Sequence, residues 1–325
     1  MEKIKWAVLG CGVIANEMAV ALQKNGKNIY AVGNRTHEKA VAFAKKYGIG
    51  KVYDDFHEMF TDPEVDVIYI TTPHNTHLDF MKEAIVNGKH ILVEKSITLN
   101  SDELDEAMVL AAEQGVVIGE AMTIYHMPIY KTLKEILDSG RLGRVNLITM
   151  NFGSFKEYNM ENRFFNRNLA GGAMLDIGVY ALSFIRWFFD SKPDQLLSQV
   201  KPAPTGVDEQ AGLLLTNPDG QMASVMLSLH SKQPKRGMVS CENGFIEIME
   251  YPRAWEAKIT DAATGESEII KAGEHADALA YELADMERAI CGDPSAMHLD
   301  YTKDVMDLMT SFRRTWGYTY PEEEK

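Results

Sequence analysis

The stretch Gly10-Cys11-Gly12-Val13-Ile14-Ala15 constrains this chain more than any other. It follows a short apolar run, residues 4–9, that reads as a strand, and it opens a helical pattern over residues 13–24. Small residues at its first, third and sixth places fit the G-x-G-x-x-G/A fingerprint of a dinucleotide-binding turn. There the first glycine makes a tight turn, the second admits a pyrophosphate to the backbone, and the third small residue lets helix pack on strand. The start of the helix, at Val13 and Ile14, offers free N–H groups and the positive end of its dipole to phosphate. Behind the turn, strands near 29–33, 66–71, 90–94 and 116–120 alternate with helices at 36–47, 75–87 and 101–115. That alternation is the signature of a doubly wound parallel sheet, the Rossmann type of α/β fold.

After residue 121 the pattern changes. A helix is expected at 128–139, a strand at 144–152 and an apolar helix at 172–189. From 196 to 271 alternating segments are split by turn signals such as Asn217-Pro218-Asp219-Gly220 and Glu242-Asn243-Gly244, which is the grammar of an antiparallel sheet. Helices near 276–291 and 300–316 close the chain before a polar tail, PEEEK. The expected organisation is a dinucleotide-binding domain over 1–121 and a substrate-binding and oligomerisation α+β domain over 122–325.

Lys plus Arg number 33 against 47 Asp plus Glu, a net charge of −14, which opposes binding to nucleic acid or to an anionic membrane. Cys11, Cys241 and Cys291 are scattered and form no metal-ligand spacing, which fits a reducing cytoplasm. The N-terminus resembles a signal peptide or a lipoprotein cleavage site, but only Trp6 to Gly10 separate Lys5 from Cys11, too few for an apolar signal core. No stretch reads as a membrane span. A cytoplasmic protein with no nucleic-acid, membrane or metal partner is expected.

At the end of the second strand an NAD site usually offers an acid to the ribose 2′-hydroxyl. Here stand Asn34 and Arg35. A guanidinium can clamp a 2′-phosphate with paired charge-assisted bonds, which favours NADP(H). If Arg35 is a surface charge or stacks on adenine, NAD(H) remains possible. Thr71, Thr72 and Pro73 fall where such a sheet presents its ligand edge, Asn75 is placed to cap the next helix, and His77 lies at that helix start; these five, with Glu94 and Lys95 at the end of the next strand, are candidates for cofactor binding. His74 and His77 lack a third neighbour for a metal site. Glu94 and Lys95 end the strand at 90–94, where a lysine can stabilise an oxyanion as a proton leaves; alone, the pair reads as a solvent-facing ion pair.

Taken together, GCGVIA, TTPHNTH, VEKS and GGAMLDIGVY resemble the motifs of the Gfo/Idh/MocA oxidoreductases in order and in spacing, over residues 4 to about 316. The resemblance implies a Rossmann domain followed by a domain with a large, mostly antiparallel open sheet that covers the nicotinamide and builds homodimers or homotetramers. It implies hydride transfer between nicotinamide and a secondary alcohol or ketone of a sugar, polyol, inositol or trans-dihydrodiol. The family's Glu-Lys-Pro motif falls on Glu94, Lys95 and Ser96, with serine in place of proline. Its second motif falls on Asp176 and Tyr180, and tyrosine rather than histidine is similar to the glucose-fructose oxidoreductase and dimeric dihydrodiol dehydrogenase branches.

On that reading Tyr180 is the general acid/base, with Lys95 and bound cofactor favouring the phenolate of a group that ordinarily titrates at about 10. Asp176 binds substrate hydroxyls or holds Lys95. The structural alternative is a helix N-cap aspartate and a core tyrosine. Arg163 and Asn166 are candidates for cofactor and substrate contact, or are surface loop residues. Tyr125 and His126 are candidates for the substrate pocket, or are ordinary packing. A non-catalytic NADP(H)-binding regulator and an NAD-dependent glycosidase-like enzyme are the competing functions.

Overall fold

Six short strands form the first sheet of the computed structural model, which describes residues 4–324. They are Trp6–Leu9 (β1), Ala31–Gly33 (β2), Lys51–Val52 (β3), Val67–Ile70 (β4), His90–Glu94 (β5) and Ile118–Ala121 (β6), all parallel, in the order β3-β2-β1-β4-β5-β6. Every residue of β1 and β4 is buried, as strands covered on both faces must be. The strand order reverses between β1 and β4, and their carboxyl ends flank the switch point where such sheets take ligands.

The helices around this sheet follow from local sequence. Helix Val13–Lys24 buries Ala15, Met18, Ala19 and Leu22, steps of three and four that make one apolar stripe. Ahead of helix Ser101–Gln114, the Asn100 side chain accepts from Glu103 N at 2.9 Å and the Glu103 carboxylate accepts from Leu99 N at 2.9 Å. Gly115, at φ +66, stops the same helix.

The chain divides into one unit that runs to Ala121 and takes in Leu279–Leu299, and a second made of Met122–Ala278 and the residues from Asp300 onward. A single cut at 121/122 therefore does not describe the organisation. Leu279, Leu283 and Met286 of helix Ala278–Ile290 join the core of Trp6, Val8, Met18 and Leu22, and Trp6 Nε1 donates to Glu287 at 3.1 Å.

The second unit is built on eight strands: Val145–Gly153 (β7), Gln195–Pro202 (β8), Asp208–Thr216 (β9), Met222–Ser228 (β10), Arg236–Cys241 (β11), Gly244–Met249 (β12), Glu256–Asp261 (β13) and Ser267–Lys271 (β14). Their order is β14-β13-β12-β11-β7-β10-β9-β8. All neighbours are antiparallel except β7 and β10, which run parallel with Leu147 opposite Met222. One face carries Ile148, Met150 and Phe152 into the core, where helix Val179–Phe188 lies across β7 and β11. The register puts Leu147, Leu197, Leu214, Met222, Met226, Met249 and Ile269 together on the other face, and all seven are exposed.

The expected helix at 172–189 begins differently: Met174–Gly178 is a π-turn, and the α-helix proper is Val179–Phe188. By length and composition the run Arg167–Phe188 could cross a membrane, but 78% of its apolar window is buried within the fold, as a core helix is.

Candidate functional site

In the first unit the glycine turn and the ends of β1, β2 and β4 enclose a cleft of about 280 Å³. Gly10 has φ +111, and a Cβ there would fall on Oγ1 of Thr71, so turn and close approach both require glycine. At Gly12 a Cβ would meet nothing within 4 Å, which leaves open the room a pyrophosphate needs. Gly12 is also the N-cap of helix Val13–Lys24 and gives no side-chain bond to its first turn. Helix-start N–H groups lack intrahelical partners and are donors that a phosphate can take. Ala15 is fully buried as the packing residue, Ile14 is half-buried, and Val13 is exposed. The residues present fit a dinucleotide.

Asn34, Arg35, Thr71, Thr72 and Pro73 line this cleft. So do Lys39, Phe56, Thr76 and Phe80, which the sequence reading did not name. Lys39 lies on helix His37–Tyr47 four residues after Arg35, a spacing that could have revealed it; the two phenylalanines have no such local signal. The lining holds two cations, Arg35 and Lys39, and no carboxylate. Burial pushes the Cys11 thiol up to about 11, so it lines the cleft as a neutral group.

Asn75 does not make the expected cap, and His77 begins its helix as expected but lies outside the cleft lining. Thr76 is the N-cap of helix His77–Val86, and no side chain caps that helix, so Asn75 does not cap it. His77 is fully buried and is not among the residues lining the cleft. Its Nε2 lies 2.9 Å from Thr72 O, and its Nδ1 lies 3.1 Å from Ser96 O and 3.2 Å from Ile97 O. Burial holds its pKa below the ordinary histidine value. A neutral ring donates from one nitrogen and only abuts carbonyl oxygen with the other.

Nε2 of His74 lies 3.0 Å from Lys95 O, and the Glu120 carboxylate accepts from Ile97 N at 3.1 Å. Two histidines thus face three successive carbonyls from Lys95 to Ile97. The Lys95–Ser96 peptide is cis. Glu94 accepts a hydrogen bond from the Tyr69 hydroxyl. Where the family's proline would limit the backbone by its ring, here the flanking side chains hold the segment that presents Lys95.

In the second unit every residue from Gly171 to Phe189 is buried except Asp176, Tyr180 and Arg186. Arg186 is engaged by Asp304 at 2.6 Å. Asp176 sits inside the π-turn and Tyr180 in the first turn of the α-helix. Four residues slightly exceed one turn of α-helix and fall short of one in a turn closed by i→i+5 bonds. Through that mixed geometry the two side chains still emerge as the open points of an apolar segment. Asp176 is not an N-cap: Ala173 holds that place, and the Asp208 carboxylate accepts from Met174 N at 2.6 Å. Arg163 Nη2 lies 3.8 Å from Asp176 Oδ1, and the Tyr180 ring centroid is 6.2 Å from that of Phe152.

Among the remaining candidates, Asn166 accepts from Asn168 N at 2.9 Å and so opens the short turn Arg167–Leu169. Tyr125 and His126 are both buried, and Tyr125 packs 6.1 Å from the ring of Trp187 and 5.9 Å from that of Tyr301.

Residues 4–122 match the oxidoreductase family of NAD-binding Rossmann fold named Gfo/Idh/MocA, and residues 130–247 match the Gfo/Idh/MocA C-terminal domain. The chain belongs to the Gfo/Idh/MocA oxidoreductase family. It is an NAD(P)-dependent oxidoreductase similar to the dihydrodiol dehydrogenases. The mouse trans-1,2-dihydrobenzene-1,2-diol dehydrogenase is 31% identical over 251 residues, covering 76% of this chain and 75% of the mouse protein. An NAD binding oxidoreductase from Klebsiella pneumoniae has the same fold, with a TM-score of 0.86 at 19% identity over 97% of this chain and 96% of that one. A 3-ketoreductase from Actinomadura kijaniata, solved with NADP and TDP-benzene, gives 0.84 at 19% identity over 96% and 98%. For a Gfo/Idh/MocA chain the glycine cleft is the cofactor end of the Rossmann unit, and the switch point of the strand order lies beside it.

Proposed function

We propose that this Gfo/Idh/MocA oxidoreductase moves a hydride between NADP(H) and a secondary alcohol or ketone carbon of a sugar, polyol, inositol or trans-dihydrodiol. The observation that carries the reading is the exposure pattern of residues 171–189, an apolar helix opened at one carboxylate, Asp176, and one phenol, Tyr180. Nicotinamide, when bound, supplies the hydride acceptor or donor. In the oxidative direction the carbinol C–H bond breaks with its electron pair, the hydroxyl proton passes to the Tyr180 oxygen, and a carbonyl forms. In reduction Tyr180 returns that proton. Lys95, just after β5, supplies a cation that can steady negative charge on the substrate oxygen. Asp176 accepts a hydrogen bond from a neighbouring hydroxyl, which favours vicinal diols, and the mouse relative is named for one.

The preference for NADP(H) is supported by the cleft's Arg35 and Lys39 and its lack of a carboxylate, and by the NADP complex of the A. kijaniata protein. A second copy covering the exposed face of the eight-stranded sheet, in a homodimer or homotetramer, accounts for the seven apolar side chains gathered there. A cytoplasmic setting is in keeping with three free cysteines.

The test is a spectrophotometric panel of sugars, polyols, inositols and trans-dihydrodiols with NADP⁺ and NAD⁺ in parallel. Turnover of at least one vicinal diol, faster with NADP⁺, is expected. Tight NADP(H) binding with no turnover of any of them would count against hydride transfer and for a regulator. Cofactor that copurifies and resists dilution would point instead to glycosidase-like chemistry.

A further inference from the structure

The polar tail after the last long helix is held by hydrogen bonds to the fold. After helix Leu299–Trp316 the chain turns at Gly317, φ +75, and residues 318–324 run back along residues 167–174. Arg313, 2% exposed, binds both carboxylate oxygens of Glu323 at 2.8 Å, and Glu323 also accepts from Tyr320 N at 2.6 Å. Arg167 donates to Thr319 O at 2.7 Å and pairs with Glu324.

Two phenols reach inward from this anchored strap. Tyr320, fully buried, donates to Gly171 O at 2.7 Å. Tyr318 donates to Oδ1 of Asp208, whose other oxygen accepts from Met174 N, the first residue of the π-turn. Gly172, between the two ties, has φ +123, and a Cβ there would collide with Oδ1 of Asp208. The Gly172 carbonyl in turn accepts from Asp176 N at 3.3 Å.

We propose that this C-terminal strap sets the π-turn that carries Asp176, with Tyr318, Tyr320 and Asp208 acting as positioning residues for Asp176 and Tyr180 in the reaction proposed above. A π-turn is a rare local geometry and holds where its surroundings fix it. Here the fixing bonds fall on Gly171 O and Met174 N, one at each side of the entry to the turn. Loss of either phenolic hydroxyl leaves a buried polar group without its partner, and the turn gains freedom to relax toward ordinary α-helix. The Asp208 carboxyl is buried, and burial raises it to about 6. Asparagine at 208 can accept from Met174 N through its oxygen and donate to the Tyr318 oxygen through its amide, which keeps both ties without the charge.

The experiment compares the full chain with a Tyr318→Phe/Tyr320→Phe double variant, Asp208→Asn and Asp208→Ala. It reads hydrogen exchange at amides 172–178, kcat, and NADPH affinity, with unfolding midpoints to confirm folding. In the double variant and in Asp208→Ala, exchange at 172–178 should rise and kcat fall, each by roughly tenfold or more, with NADPH affinity within roughly twofold. Asp208→Asn should behave as the parent. Should the double variant not fold, the single Tyr→Phe variants, each losing one hydroxyl and no ring, carry the same readouts.

Unchanged exchange in the folded variants would overturn the proposal, as would faster exchange with parental kcat, or an Asn variant as impaired as the Ala variant. If the parent turns over no substrate, the proposed reaction fails by itself, and exchange at 172–178 still decides whether the strap holds the turn.

Discussion

Nε2 of His74 lies 3.0 Å from the carbonyl oxygen of Lys95, so the lysine proposed to steady an oxyanion is held through its own backbone by the loop after the neighbouring strand. His77, the first residue of the helix that follows, faces the next two carbonyls. His77→Ala would remove the one ring N–H that bonds a buried carbonyl, along with the ring's packing, and should lower stability by about 1–3 kcal/mol. Urea unfolding at neutral pH checks this; an unchanged midpoint would show that the carbonyls find other partners.

The same histidine predicts a pH dependence. Burial depresses its pKa in the folded protein, whereas the unfolded chain binds the proton at about 6.5. The unfolded state therefore takes up more protons as pH falls, so the contribution of His77 is fully present above about 6.5 and is lost as pH drops through the folded value. The urea midpoint should fall between about pH 7 and about pH 5, and His77→Gln should flatten part of that slope. Identical slopes in parent and variant would remove His77 as a cause.

Arg35 is the residue on which the proposed preference for NADP(H) turns. Replacing it with alanine deletes charge-assisted bonds available to a 2′-phosphate, worth about 1.5–3 kcal/mol, and should weaken NADPH binding by roughly 10- to 100-fold. NADH binding should change little. Fluorescence titration with both cofactors decides it, and an equal loss for both would place Arg35 against a part of the nucleotide that the two share.

The exposed sheet face predicts an assembly. Met226 and Leu214 lie on adjoining strands of that face, and a Leu214→Glu/Met226→Lys double variant puts charge into an apolar contact without touching the cofactor cleft. Sedimentation should show the parent as a dimer or larger and the variant as a monomer. A parent that sediments as a monomer would leave the face without a second copy.

Much of the first unit was legible because its signals are local. The glycine turn, helix Val13–Lys24 and β5 follow from residues next to one another. β3 was missed because it has only two residues, Lys51 and Val52, too few to show a period. The parallel pairing of β7 with β10 was not readable, since either strand alternates in the same way whichever direction its neighbour runs. The return of helix Ala278–Ile290 to the first core depends on contacts far apart in sequence. In the candidate site Asp176 and Tyr180 stood out as polar breaks in an apolar run, but the π-turn left no trace in composition. The ties from Tyr318 and Tyr320 were hidden because their partners, Asp208 and Gly171, are more than a hundred residues away.

The most direct measurement is the rate of Tyr180→Phe with the best diol found in the substrate panel, taken beside its NADPH affinity. If the phenol moves the proton, kcat should drop by roughly 10²-fold or more while NADPH affinity stays within roughly twofold of the parent. Parental kcat in a folded Tyr180→Phe protein would contradict that role and return the residue to the packing of its helix.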